Sequence, residues 1–276
     1  MILENGANAL ERTHAKCRIE EAFGQAATQY DQGSFGAKKN ARARLLEELD
    51  RVCPELPSGK VIEIGCGTGF VTQGLVKKMG DRPLEITDLS QSMLAVCQQQ
   101  VSQTSHSSEM TFRTLDGELW QPISRSYALI ISSFVVQWFE QLEPALDRWI
   151  SALKPGGKIL ISFPTCHSFP EWKAACRSLD LSFTGNLLPD PGAIAQFLAS
   201  RPVQTQYWQQ SIGISFASSR DFFRSLKQIG AGTSLSKTRL SISDFKQLVG
   251  ALDEFASLSE GIHYDVAYFT ISRNKI

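Results

Sequence analysis

No part of the 276-residue sequence is apolar for long enough to cross a membrane. The longest near-apolar run, Tyr127 to Val136, falls far short of the roughly 20 residues a spanning helix needs. Nor does either sign of charge prevail: 28 Lys and Arg meet 28 Asp and Glu, so the global footprint of a nucleic-acid binder is missing. The N-terminal stretch MILENGANALERTHAK has no apolar core of the kind a secretory signal carries. Six cysteines (17, 53, 66, 97, 166 and 176) include no Cys-x-x-Cys pair, and the four histidines stand far apart. With neither zinc-ligand spacing nor a dense disulfide framework, the expectation is reduced thiols, a cytoplasmic protein and no structural metal. What is present is an ordinary globular composition, 42% apolar and 20% charged, in a chain long enough to bury a sizeable core.

Residues 18–52 read as helical, with Ala22, Phe23, Ala26, Ala27 and Tyr30 at helical spacing, a break at Gly33-Ser34-Phe35-Gly36, then Ala41, Leu45, Leu46 and Leu49. Pro54 and Pro57 end that segment. From Lys60 short apolar runs alternate with helical ones. Strands are expected at 61–64, 84–87, 110–115, 127–133 and 158–163, with helices after the first two and at 143–153. Such alternation predicts an α/β doubly wound, mostly parallel sheet. Beyond Phe163, prolines punctuate helical pieces at 171–181 and 192–199; a strand follows at 205–216, helices at 219–229 and 243–255, and a last strand at 266–272. Residues 1–57 read as an N-terminal helical cap, 58–276 as the main domain, and 166–202 as an insertion over the cleft.

The strongest local signal is Val61-Ile-Glu-Ile-Gly-Cys-Gly-Thr-Gly69, a strand emptying into a glycine turn before a helix. Gly65, Gly67 and Gly69 let a ligand approach the backbone, Cys66 lies between the first two, and the helix start offers free N–H groups. A dinucleotide fingerprint needs G-x-G-x-x-G. Here the spacing is G-x-G-x-G, and Phe70 stands where the third glycine would be. Glu63, two residues before the first glycine, would repel a pyrophosphate but suits a ligand bearing an ammonium and a sulfonium. That favours S-adenosyl-L-methionine over NAD. Asp88, ending the second strand, can accept both ribose hydroxyls or serve as a helix cap. Leu89 and Met93 are placed to pack on an adenine, with core filling the rival role for Met93. Asp116, beside Gly117 after the third strand, could accept the adenine amino group or simply shape a turn.

Glu63-Ile-Gly-Cys-Gly-Thr-Gly69, Asp88-Leu-Ser-Gln-Ser-Met-Leu94 and Leu153-Lys-Pro-Gly-Gly157 resemble the class I S-adenosylmethionine-dependent methyltransferases. That resemblance implies a seven-stranded sheet whose last strand runs antiparallel. Ala22-Phe-Gly-Gln-Ala-Ala-Thr-Gln-Tyr-Asp31, Val136-Gln-Trp138, Phe169-Pro-Glu-Trp172, Arg224-Ser-Leu-Lys-Gln-Ile-Gly-Ala231 and His263-Tyr264 are similar to the biotin-pathway malonyl-acyl-carrier-protein O-methyltransferases. This wider resemblance implies methylation of the free carboxylate of a malonyl group on acyl carrier protein. It also implies that Tyr30 and Gln137 line the cofactor or methyl-transfer chamber. A quinone-type or other small-molecule methyltransferase, or a non-catalytic cofactor-binding module, is the alternative reading.

A carboxylate acceptor is already ionised at neutral pH, so the site needs alignment, dryness and a cation rather than a general base. His167, just beyond the fifth strand, is a base only if the acceptor carries a proton, and otherwise a cleft-edge residue. Two basic positions frequent in the malonyl family are replaced here, by Leu187 after Asn186 and by Ile242 in Leu240-Ser-Ile242. Another cation then has to hold the substrate carboxylate. Arg239 is favoured over Lys227, because a guanidinium can grip a carboxylate with two parallel hydrogen bonds. Residues 167–250 hold nine Lys and Arg against five Asp and Glu. Arg220, Arg224 and Lys227 share one stripe of an expected helix, either a solvated face or a landing strip for an acidic carrier protein.

Overall fold

The computed structural model describes residues 2–27, 30, 36–102, 109–228, 240–259 and 261–275. Among them the elements run α1 (Ile2–Ala26), α2 (Gly36–Val52), β1 (Lys60–Ile64), α3 (Phe70–Lys78), β2 (Leu84–Asp88), α4 (Gln91–Ser102), β3 (Met110–Thr114), β4 (Tyr127–Ser133), α5 (Leu142–Ala152) and β5 (Leu153–Pro164). Then follow α6 (Pro170–Ser178), α7 (Pro191–Ala199), β6 (Val203–Ile214), α8 (Ser219–Gln228), α9 (Ile242–Leu258) and β7 (Ile262–Arg273). The seven strands form one sheet in the order β3-β2-β1-β4-β5-β7-β6. Strands β1 to β5 pair in parallel, and β7 is antiparallel to both β5 and β6. This is the doubly wound α/β sheet expected from the alternation, with the antiparallel last strand the resemblance implied.

The central strands are buried on both faces, which is why they read as continuous apolar runs rather than alternating ones. Successive side chains point to opposite faces. Ile62, Ile64, Ile130, Ile159 and Ile161 meet Leu146 and Trp149 of α5 and Ile194 and Leu198 of α7 on one side. Val61, Leu129, Ile131 and Leu160 meet Leu45 and Leu49 of α2, Leu75 of α3 and Cys97 and Val101 of α4 on the other. A third cluster packs Phe169 and Trp172 with Phe222 of α8, Leu248 and Leu252 of α9, and Tyr264 and Tyr268 of β7.

Several boundaries differ from the sequence reading. Strand β7 starts at Ile262, not Val266, because its first residues pair with β6 (Ile214 with Ile262). Strand β5 starts at Leu153, ahead of the Pro155-Gly156-Gly157 turn, since Leu153 pairs with Tyr127 before a register shift. Helix α6 stops at Ser178, followed by Asp180 in the left-handed region (φ 54°). The segment 166–202 also divides. Trp172 of α6 joins the third cluster, while Ile194 and Leu198 of α7 lie on the sheet as an ordinary crossover helix. Likewise α2 belongs to the sheet's own helical layer, and Glu48 accepts a hydrogen bond from Thr270 Oγ1 at 2.7 Å.

Candidate active site

In open α/β sheets the crevice for a ligand opens beyond the carboxyl ends of the strands, where the strand order reverses. Here β1 sits between β2 and β4, and a cavity of about 90 Å³ opens at that point. Its walls come from the ends of β1 (Ile64, Gly65, Gly67), β2 (Asp88, Leu89, with Met93 on α4), β3 (Leu115, Asp116, Gly117) and β4 (Ser133, Phe134, Val135). Lys16, Ile19 and Phe23 of α1, together with Tyr30 and Arg42, cover it.

The glycine turn is shaped for close approach. Gly65, Gly67 and Gly69 all have positive φ (77°, 53° and 97°), a region that penalises side chains. Their surroundings differ. A Cβ on Gly65 would stand 2.1 Å from Val135 Cγ2, and one on Gly69 3.0 Å from Cys97 Sγ, whereas one on Gly67 would meet nothing within 4 Å. Gly67 is therefore the glycine whose missing side chain leaves room for a ligand; the other two are needed for packing. Gly117 is a packing glycine too, since a Cβ there would lie 2.3 Å from Ile64 Cγ2.

Asp88 is held at the rim by backbone donors: Gly67 N–H donates to Oδ2 and Ser90 N–H to Oδ1, both at 2.8 Å. Burial pushes its carboxyl above the usual range, partly offset by those hydrogen bonds. Two lone-pair directions remain for a diol, and the capping of α4 falls to Ser90, whose Oγ accepts from Met93 N–H at 3.4 Å. Asp116 accepts from the backbone N–H groups of Glu118 and Leu119 through Oδ1. Its Oδ2 lies 2.5 Å from Lys16 Nζ, which also stands 2.7 Å from Glu118 Oε2. The atom expected to meet an adenine amino group is thus engaged by α1.

Other expected site residues lie elsewhere. Glu63 is buried beneath the turn, where Thr72 Oγ1 donates to its Oε2 at 2.6 Å, and burial pushes its pKa up to about 7. It does not line the cavity, and its visible role is to fasten α3 to β1. Cys66 is buried, with its thiol pushed well up by its hydrogen bond to Cys97 and by burial. Gln137 faces a second groove with Glu140, Leu187 and Asp190; its Nε2 donates to Phe134 O at 2.7 Å. Trp138, the next residue, enters the cavity instead and packs edge-on against Phe23 at 5.5 Å. Lys227 and His167 are exposed, away from the cavity walls, and Arg239 lies outside the described residues. Sequence reasoning missed Lys16, Arg42, Phe134 and Trp138. Phe134 carries the one signal that could be checked only in three dimensions, a left-handed backbone (φ 58°) at the mouth of β4.

Residues 61–157 match the methyltransferase domain family. A malonyl-[acyl-carrier protein] O-methyltransferase of Magnetococcus marinus is 28% identical over 78% of this chain and 77% of its own length. The biotin biosynthesis bifunctional protein BioCD of Bordetella avium is 30% identical over 77% of this chain, which spans only 43% of that longer protein. A trans-aconitate 2-methyltransferase of Rhizobium meliloti is 27% identical over 65% of this chain and 71% of its own. Among solved structures, phosphoethanolamine N-methyltransferase 2 of Haemonchus contortus, in complex with S-adenosyl-L-methionine, superposes with a TM-score of 0.53. It is 18% identical and covers 84% of this chain and 52% of its own. The chain carries a methyltransferase domain over residues 61–157 and resembles the class I S-adenosylmethionine-dependent methyltransferases. Within that class it resembles the malonyl-[acyl-carrier protein] O-methyltransferases. The open space beside Gly67 and the carboxylate of Asp88 fit that methyl donor, which supplies an electrophilic methyl on a sulfonium. Among the described residues no helix is long and apolar enough to cross a membrane.

Proposed function

We propose that this methyltransferase esterifies a free carboxylate, and that its acceptor is the malonyl group of malonyl-acyl carrier protein, at an early step of biotin synthesis. The observation that carries the reading is the make-up of the cavity wall. Its described residues are aromatic and aliphatic side chains, two aspartates fixed by backbone donors and two cations, with no histidine or cysteine among them. With both aspartates assigned to the cofactor, the described wall suits a nucleophile that arrives ionised. An apolar wall excludes water, and Phe23, Tyr30 and Trp138 confine the acceptor so that its oxygen meets the methyl in line. The names of several relatives support the malonyl acceptor. The relatives named for trans-aconitate favour a second reading with the same chemistry, a small free polycarboxylate.

For the cofactor, Gly65, Gly67, Asp88, Leu89, Met93, Asp116 and Gly117 would line its path, Asp88 serving the ribose and Asp116 the adenine once Lys16 releases it. Helix α1 acts as the cap in this reading. The test is methyl transfer from labelled S-adenosylmethionine to malonyl-acyl carrier protein, malonyl-CoA, trans-aconitate and a quinone precursor. Base-labile label on the malonyl thioester is the expected result. Label on trans-aconitate alone selects the second reading, and base-stable label on the quinone precursor overturns both.

A further inference from the structure

Arg42 is the polar group of the cleft that this chemistry leaves without a role. It lies on α2, is 8% exposed and lines the cavity. One hydrogen bond is visible, from Nη2 to the Tyr30 hydroxyl at 3.3 Å, and the guanidinium carbon stands 5.6 Å from the Tyr30 ring centre and 5.9 Å from that of Phe70. Among the described residues no carboxylate forms an ion pair with it. The nearby acids are committed elsewhere: Glu63 to Thr72, and Asp88 to the Gly67 and Ser90 amides.

A guanidinium presents five N–H donors in a planar fork. Here one donor meets the Tyr30 hydroxyl and the rings of Tyr30 and Phe70 flank the group, so its remaining donors are open to the cavity it lines, where an anion would pair with them. Its location says where that anion would lie. Phe70 is the first residue of α3, directly after the glycine turn, so Arg42 stands on the glycine-turn side of the cleft. Asp116 lies beyond β3, past β2 from that turn.

We propose that Arg42 grips the carboxylate of a ligand bound in this cleft. Two carboxylates of the same chemistry qualify: that of the donor's methionine end, and the free carboxylate of the acceptor. Either would take the guanidinium fork with two parallel hydrogen bonds while Tyr30 fixes the fork's orientation. The inference rests on the methyltransferase reading of the site, and only its acceptor arm rests on the proposed substrate. The cation sought at Arg239 or Lys227 would then come from α2 instead.

The test compares Arg42→Met and Arg42→Lys with the unmodified chain by calorimetry. The probes are S-adenosylhomocysteine, which carries the carboxylate, and 5′-methylthioadenosine, which lacks it. The KM for malonyl-acyl carrier protein is measured alongside. A loss of about tenfold or more in S-adenosylhomocysteine affinity, with 5′-methylthioadenosine unchanged, assigns Arg42 to the donor. Unchanged S-adenosylhomocysteine affinity with a similar rise in KM assigns it to the acceptor. Unchanged affinity and unchanged KM overturn the proposal. So does an equal loss of both nucleosides in the Met and Lys variants, which would mean general damage to the cleft. Should the unmodified chain ignore malonyl thioesters, the substrate reading fails by itself. The nucleoside comparison then decides, and unchanged S-adenosylhomocysteine affinity overturns the role of Arg42.

Discussion

Two residues of the glycine turn carry opposite lessons about side chains. Gly67 has open space where its Cβ would be, so Gly67→Val should leave a folded chain whose valine fills the ligand's place. The positive φ adds strain of about 1–3 kcal/mol. Calorimetry should find no S-adenosylmethionine binding, while circular dichroism stays that of a folded α/β protein. Glu63 has no open space at all. Its carboxyl keeps its proton up to about pH 7 in the fold, whereas the ordinary value is 4.5. Between those values the unfolded chain binds fewer protons than the native one, so stability falls as pH rises through that window and stays lowered above it. Glu63→Gln removes the penalty and still accepts from Thr72. Its melting temperature should therefore gain on the unmodified chain from about pH 5 to about pH 8; a constant difference would show that Glu63 does not titrate there. The sequence placed an acid beside the turn, but only packing under α3 decided that it faces Thr72 rather than the cavity.

Helix α1 is the element whose role changed most between sequence and structure. Its periodicity marked a helix, but Lys16 drew no notice because its partners, Asp116 and Glu118, lie about a hundred residues away. Lys16, Ile19 and Phe23 together close one side of the cavity. We expect the Lys16–Asp116 pair to part when the methyl donor enters, and a partly shielded pair of this kind is worth about 1 kcal/mol. Lys16→Met should speed S-adenosylmethionine association about fivefold, readable in stopped flow through tryptophan fluorescence, with Trp138 in the cavity wall. An unchanged rate would mean that α1 does not gate the cleft. Helix α8 was legible in the other direction. Its spacing set Arg220, Arg224 and Lys227 on one side, and these are exposed while Phe222 and Ser225 are buried.

For the whole molecule, that basic stripe is proposed as the landing surface for an acidic carrier protein. Arg224 Nη1 already pairs with Asp221 at 2.6 Å, an exposed contact that contributes little to stability. Long-range attraction acts on the rate of encounter and weakens with salt. Reversing Arg220 and Arg224 to Glu should lower kcat/KM for malonyl-acyl carrier protein about tenfold at low salt, and less at high salt. Turnover of malonyl-CoA and cofactor affinity should not change. Equal activity with the carrier at low salt would reduce the stripe to a solvated face.

The α/β order, the glycine turn and Asp88 at a strand end were determined by the sequence alone, because each is written within a few neighbouring residues. Apolar runs buried on both faces, a G-x-G-x-G spacing and an acid closing a strand need no distant partner to be recognised. The orientation of Glu63 away from the cavity, the exchange of Gln137 for Trp138 in the wall, the contact of Lys16 with Asp116 and the buried charge of Arg42 came only from the tertiary structure. Each depends on which side chain a remote segment brings alongside, and whether a charge is matched or stranded is a property of that neighbourhood rather than of the residue that carries it.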